Sequence, residues 1–581
     1  METSSRSHES RATQRRRAFR WLLAAALVLV LAARVAAAFT ANVNWDEFAL
    51  LHLADLTQTT GVLETGGRAG LAVALLLPFV ADCDDEVEVI RRARLLWVAI
   101  TAAFLAGLAV WIAQLAPAAS GRWRDAALGV ALLALLPAFL DASLQVRTDQ
   151  IALAGGAWGG AALLASRRRP ALALAAGALF AAGFLGSQKL LYVGALAALL
   201  AGGQLVLARE LRPRRDGLRV LLCAAGFAIV VLTFQAWTEL AFEVPASSPS
   251  RRPLTASYVD QSLSLFEYYR QTIGFSQYRE MTPSLAPHFL LLAGLAAASL
   301  RWLRRRGAEG NRLALAWVVL LLGVAAGLFH AAAFRYFWMT LGLFPAIAFA
   351  IAREPILGLA QAATPRARRL AVVGFCLLLA LPGVMTMGFL LSDAQAVQRD
   401  SLGFVHRNFR PEEAGFHPES GLFCRAGQQP IPTHFSQHIY KNFAGASRER
   451  NVERMMRTFR ETPIRFIVQS FRLDQFPLEL RRFWAANYQP YRASVFVAGR
   501  HLEGRQGAET RFELIVPGRY RWIPFEGPQP VAIDGRLVAP GDVVTLDRGE
   551  YAAHFVESVP GGMLVLAVDE PPGRAPLTFY H

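Results

Sequence analysis

Cysteine is scarce in this sequence: there are four in 581 residues, at positions 83, 223, 376 and 424, and no C-x-x-C pair. That spacing excludes a disulfide-dense scaffold, a zinc knuckle and a thioredoxin-like redox motif. The chain also lacks a Walker-type phosphate loop, a dinucleotide fingerprint and a G-x-S-x-G nucleophile elbow. ATP-driven work and chemistry on a soluble nucleotide cofactor therefore have no sequence support. Acidic residues are outnumbered, 44 against 60 lysines and arginines, for a formal charge of +16. Long apolar runs are absent beyond residue 391.

Before residue 391 such runs dominate. The chain is 54% hydrophobic with a mean hydropathy of +0.32, and its apolar residues are gathered into stretches, which is membrane composition. A helix needs ~20 apolar residues to cross the hydrocarbon core. Stretches of that kind fall at 19–39, 92–116, 125–142, 150–166, 170–186, 189–208, 218–241, 286–303, 312–332, 335–353 and 369–391. The reading is a polytopic α-helical membrane protein of about eleven spans. A basic tail, 1–18, precedes the first stretch. It lacks a small-residue cleavage site, so the first stretch is read as a retained helix.

With the N-terminus in the cytoplasm, every inward loop is basic: Arg122/Arg124, Arg167–Arg169, the cluster from Arg209 to Arg219, Arg301–Arg312 and Arg353–Arg369. The charge therefore reports orientation, not a nucleic-acid partner. Arg91, Arg92 and Arg94 are the discord, at an outward helix start. Counting 69–80 as a further span would turn every later basic loop outward, so that short stretch is placed in the membrane interface. The outward segments are then 40–90, which is acidic, 143–149, 242–285 and everything after 391. Cys83 and Cys424 both fall in outward segments and could pair, whereas Cys223 and Cys376 lie within apolar runs. The tail divides into a mixed α/β stretch, 392–505, and a β-sandwich-like stretch, 506–581, whose short strands are punctuated by turns such as Asp534-Gly535.

Polar residues cluster at the outward ends of spans. Asp46 and Glu47 follow the first span. A carboxylate there can take a proton from a hydroxyl or hold a metal, and it can equally belong to a helix cap, with Asn44 or Asp46 as the capping residue. Arg147 and Asp149 share the short turn 143–149, where a cap and a snorkelling arginine are the alternative. Lys189, Arg335 and Tyr336, with His330 nearby, put positive charge outside, against the topology rule. A phosphate would explain it, and so would headgroup anchoring. Arg251, Arg252 and Arg270 are further cations of the 242–285 loop. His434 and His438 have the i,i+4 spacing of a helical metal pair without an evident third ligand.

These residues, in this order, resemble the GT-C glycosyltransferases, the broad group that includes protein O-mannosyltransferases and the bacterial aminoarabinose transferases of lipid A. The resemblance covers about residues 40–390. It rests on Asn44-Trp45-Asp46-Glu47, the interfacial stretch 70–80, Arg91 to Leu96, Arg147-Thr148-Asp149, Phe184 to Lys189, and Phe334-Arg335-Tyr336 leading to Leu343-Phe344-Pro345. It implies transfer of a sugar from a polyprenyl-phosphate donor, with inversion, to a lipid, glycan or protein acceptor on the periplasmic face of a bacterial inner membrane. No nucleotide cofactor is implied, and a divalent metal stays open. Asp46, Glu47 and Asp149 are the implied catalytic acids. Arg147, Lys189, Arg335 and Tyr336 are the implied donor-phosphate set. The sequence departs from the group in having Gly67-Arg68-Ala69 where many relatives have a Lys-Pro-Pro-like element. Two rival readings remain: a transporter or flippase of lipid-linked glycans, which would show inverted repeats or ionisable residues at mid-span, and a non-catalytic scaffold, which would tolerate loss of Asp46 and Asp149.

Overall fold

The computed structural model describes residues 28–63, 70–115, 122–207, 213–243, 282–305, 310–329, 335–360, 364–392, 394–419, 421–428, 430–431, 439–443, 445–504, 509–555, 559–577 and 579. The basic tail, Gly67-Arg68-Ala69, Arg251, Arg252, Arg270, His330, Phe334, His434 and His438 lie outside the described residues. The chain forms two compact units. One holds Met1–Ala41, Gly61–Leu75 and Arg91–Ser392; the other holds Asn42–Thr60, Leu76–Ile90 and Asp393–His581.

The first unit is helical, and among the described residues every range expected for a span contains helix. Five of the described helices are long and apolar enough to cross a membrane, and the number rises to seven if each of two bent pairs counts as one span. The count of about eleven goes beyond what these helix lengths give. Two helices show what their surfaces are for. Of the apolar windows in Arg214–Ala241 and Pro365–Leu390, only 11% and 6% are buried. Exposed leucines and valines along them, such as Leu221, Leu232, Val373 and Leu381, form apolar surfaces suited to lipid.

The expected span 125–142 is broken. Helix Arg122–Ala134 stops, and Pro137 opens a second helix, Pro137–Ala142, after Leu136 at φ −66° and ψ 124°. The cause is local: proline lacks an N–H and drives the preceding residue into an extended conformation. The expected span 335–353 is likewise divided, into a 3-10 turn Arg335–Phe337 and helices Trp338–Leu341 and Leu343–Ile351, followed by a 60° bend. Helices Thr148–Ala165 and Leu172–Gly186 pack backbone to backbone at Gly155. A Cβ there would stand 2.5 Å from the Leu179 carbonyl oxygen and 2.8 Å from the Gly183 Cα. Small residues allow this approach, which is how apolar helices gain contact where lipid is already apolar.

The second unit takes most of its chain from the C-terminal region but also two pieces of the segment between the first two expected spans. Its strands are β1 (Gly415–Phe416), β2 (Phe466–Val468), β3 (Tyr488–Arg492), β4 (Val495–Gly504), β5 (Glu509–Leu514), β6 (Gly518–Pro524), β7 (Val531–Ile533), β8 (Arg536–Val538), β9 (Val543–Leu546), β10 (Gly549–Phe555) and β11 (Val559–Leu566). A seven-stranded sheet runs β1-β2-β4-β11-β6-β9, with β3 also paired to β4, and a four-stranded sheet runs β5-β10-β7-β8. The larger sheet therefore draws strands from both sides of residue 505. Asp534 and Gly535 have φ of 45° and 79°, the left-handed pair that closes a two-residue hairpin between β7 and β8. Helix Arg448–Glu461 buries Val452, Met455 and Phe459, at intervals of three and four residues, and turns its arginines outward. Phe459 meets Phe416, Trp484 and Tyr488 at ring distances of 5.7–5.8 Å, which makes an aromatic centre for this unit.

Cys83 and Cys424 are joined by a disulfide with Cα atoms 5.2 Å apart across 341 residues of sequence, tying the early segment to the C-terminal region within this unit. A disulfide of this kind persists in an oxidising compartment. Alkylation of the unreduced protein should modify Cys223 and Cys376 and spare Cys83 and Cys424. Cys83→Ser should lower the stability of this unit by about 2–4 kcal/mol, read as a fall in its thermal midpoint.

A second expectation comes from His417. Its ring packs on Phe48 and Phe579, its Nδ1 accepts hydrogen bonds from the N–H groups of Glu419 and Gly421 at 3.1 and 3.0 Å, and burial pushes its pKa down to about 3. The unfolded chain takes up a proton at this residue near pH 6.5 and the folded chain does not. Stability is therefore complete above about pH 6.5 and is lost as pH falls from there toward the folded value. His417→Asn offers an oxygen acceptor in place of Nδ1 and cannot titrate. Its melting midpoint should change less than that of the wild type between about pH 7.5 and about pH 5; an equal change would remove His417 as the cause.

Candidate functional site

Helices Thr148–Ala165 and Leu172–Gly186 run antiparallel through a short turn, so the chain leaving the second returns to the end where the first began. This brings Ser187 and Lys189 to Asp149, although 40 residues separate Lys189 from Asp149. The Lys189 Nζ lies 2.8 Å from Asp149 Oδ1 and donates to Oδ2 at 3.0 Å. The Ser187 hydroxyl donates to Asp149 Oδ1 at 3.5 Å. Arg147 Nε is 3.8 Å from Asp149 Oδ2, and its Nη1 donates to Gln145 Oε1 at 3.0 Å. Asp149 is 3% exposed, Arg147 7% and Lys189 14%, so these charges are held largely out of water.

Tyr336 completes the group. The Arg147 guanidinium carbon stands 3.6 Å from the centre of its ring and the Lys189 Nζ 4.6 Å, with Phe337 5.5 Å from the same ammonium. Cation and ring attract by about 0.5–2 kcal/mol, more as water is excluded. The turn that carries Arg147 is itself fixed. Trp97 Nε1 donates to the Arg147 carbonyl at 2.6 Å, and the Gln150 side-chain amide donates to the carbonyls of Ala142 and Gln145 at 3.0 and 2.8 Å. Two long helices begin here, Thr148–Ala165 and Leu190–Leu207, and the amide groups of helix starts favour anions. Two cations and one carboxylate, faced by a phenol and two helix starts, make a setting for an anion such as a phosphate. The structure thus unites four of the sequence candidates: Arg147, Asp149, Lys189 and Tyr336. Arg335 sits in the one-turn helix beside Tyr336, and its side chain lies outside the described residues.

Asp46 and Glu47 belong to the other unit, in the first turn of helix Trp45–Thr60. Here the two readings of the acids separate. The Glu47 carboxylate accepts from the backbone N–H of Asn44 at 2.9 Å, and Asn44 Oδ1 accepts from the N–H of Asp46 at 3.0 Å. That is a reciprocal capping box, with Asn44 as the cap and Glu47 as its partner three residues on. Glu47 is fully buried and serves the box; the Asp46 side chain has no part in it and is 6% exposed. Among the described residues no group of three or more His, Cys, Asp or Glu side chains comes together as a metal site.

Sequence reasoning placed Gln145 in the turn without a role and missed Gln150 and Ser187; all three hold the cluster in place. The signal was present: a glutamine at each end of the turn 145–150 and a polar Ser-Gln-Lys break between two apolar helices.

No family model matches the sequence and no curated protein matches it. The fold is similar to crystal structures of ArnT from Cupriavidus metallidurans, one in the apo state and one bound to undecaprenyl phosphate. Identity is 14% in both cases, over 82% of this chain and 95% and 96% of those chains, with TM-scores of 0.37 and 0.36.

Asp149→Asn takes away the carboxylate that Lys189 contacts in a buried setting. It should destabilise the first unit by about 3–5 kcal/mol. The double change Asp149→Asn with Lys189→Met should cost less than the sum of the two single changes, measured by unfolding in mixed detergent; additive losses would mean that the pair is not coupled.

Proposed function

We propose that this chain is a membrane glycosyltransferase that moves a sugar from a polyprenyl-phosphate carrier to an acceptor at the extracytoplasmic face of the membrane. The observation that carries the reading is the buried Arg147, Lys189, Asp149 and Tyr336 cluster. A lipid phosphate has the charge and the donor requirement that this cluster meets, and its prenyl chain needs the apolar surroundings in which the cluster lies. The resemblance of the sequence to the GT-C glycosyltransferases supplies the reaction type.

In the proposed reaction a hydroxyl or amine of the acceptor attacks the anomeric carbon while the bond from that carbon to the phosphate oxygen breaks. The attack comes from the opposite side, so configuration inverts. Asp46 takes the acceptor's proton, and the carrier leaves as polyprenyl phosphate. Arg147 and Lys189 stabilise the charge that grows on the leaving phosphate, with Arg335 and Tyr336 as further members of that set. Asp149, its oxygens engaged by Lys189, Ser187 and Arg147, is assigned the placement of those cations, and Glu47 the capping of the helix that carries Asp46.

The broken helices at Pro137 and at 335–353 favour a second reading, since transporters of anionic substrates build their sites at such breaks. One experiment divides the two. Purified protein in nanodiscs is given the lipid extract of its native host as donor source, and release of undecaprenyl phosphate is followed with and without envelope acceptor fractions. Asp46→Asn should lower release at least ~100-fold while binding undecaprenyl phosphate as the wild type does. Arg147→Gln and Lys189→Met should each weaken that binding about tenfold or more. Binding without acceptor-dependent release in the wild type would favour transport, and equal release by Asp46→Asn would remove Asp46 as the base.

A further inference from the structure

The region after residue 392 shows no metal site among its described residues, yet it grips the chain on both sides of Asp46. Gln398 is fully buried, and its side-chain amide pairs with both backbone polar groups of Val43. The Val43 N–H donates to Gln398 Oε1 at 2.9 Å, and Gln398 Nε2 donates to the Val43 carbonyl at 3.0 Å. One side chain thus fixes the backbone on both sides of Val43, three residues before Asp46, as a neighbouring strand would. The Arg472 guanidinium lies 4.0 Å from the Trp45 ring centre, immediately before Asp46. Arg472 is held in turn by the buried Glu419, 3.7 Å from its Nε, and Glu419 accepts a hydrogen bond from the Ser470 hydroxyl at 2.9 Å. Two residues after Asp46, Phe48 is packed against His417, Phe423 and Phe579. The acid is therefore held at three points by residues that lie more than 350 positions away in the sequence.

We infer that Gln398 and Arg472 are positioning residues that set the place of Asp46, so that the C-terminal region builds part of the reaction centre in addition to any contact with the acceptor. The inference rests on the glycosyltransferase reading with Asp46 as base. Its physical ground is that a proton acceptor must stand within hydrogen-bond reach of the attacking group, and a displacement of ~1 Å costs about 100-fold in rate. Helix capping by Asn44 and Glu47 fixes the helix start internally but leaves its placement undetermined; Gln398 and Arg472 supply that placement from outside the helix.

The test compares wild type, Gln398→Met, Arg472→Met and Arg472→Lys in nanodiscs. Three quantities are read: hydrogen exchange of the peptide covering 42–50, kcat and KM for undecaprenyl phosphate release from the native lipid extract, and affinity for undecaprenyl phosphate itself. A thermal midpoint within a few degrees of the wild type shows which variants have kept the fold. Gln398→Met should exchange at 42–50 at least ~10-fold faster and lose ~10–100-fold in kcat, with phosphate-carrier affinity unchanged. Arg472→Met should lose kcat, and Arg472→Lys should regain part of it, because an ammonium can still face Trp45. Unchanged exchange at 42–50, or faster exchange with wild-type kcat, would overturn the inference. Wild-type release by Asp46→Asn would instead sink the reading beneath it, whatever the clamp variants do.

Discussion

A carboxylate buried among apolar helices is costly unless a partner meets it, and the first unit depends on how Asp149 is met. The lysine that approaches it at 2.8 Å comes from the far side of a helical hairpin, so the ion pair forms only when Thr148–Ala165 and Leu172–Gly186 are in register. Gly155 permits that register by letting the two backbones touch. Once Lys189 is fixed, the Tyr336 ring lies within reach of it and of Arg147, and three separate stretches of chain share one charged centre. Packing and ion pairing are here consequences of the same few contacts.

The second unit solves a different problem. An acid in the first turn of a helix is loosely placed if only its own helix holds it, and helix Trp45–Thr60 begins directly after the first apolar helix. The capping box secures the turn. The Gln398 amide and the Arg472 guanidinium then hold its flanks. The Cys83–Cys424 bond ties a neighbouring piece of the same early segment to the same unit. Asn42–Thr60 and Leu76–Ile90 are thereby built into the second unit.

The positions of the apolar helices were legible because run length and basic loops are direct physical requirements of a bilayer. The break at Pro137 was not read from the sequence, because the apolar run around the proline masked it. Most strands between 509 and 566 were legible from alternation and turns, with Asp534-Gly535 as the sharpest. Sheet order was not, since β4 pairs with β11 across a long intervening stretch and nothing local names that partner. At the site, Arg147, Asp149, Lys189 and Tyr336 each stood out as a charge or phenol at the edge of an apolar run. That Asp149 and Lys189 pair with each other, and that Gln398 reaches Val43, depends on tertiary contacts that a sequence pattern does not carry.

The central claim is that the Arg147, Lys189 and Tyr336 cluster receives a lipid phosphate. The most direct measurement is photo-cross-linking with a polyprenyl phosphate that carries a diazirine on the prenyl unit next to the phosphate, followed by peptide mapping. The account predicts labelled peptides covering 145–153, 187–193 and 336–341, with labelling suppressed by excess undecaprenyl phosphate. Competable labelling confined to other helices, with these three stretches unmarked, would contradict it.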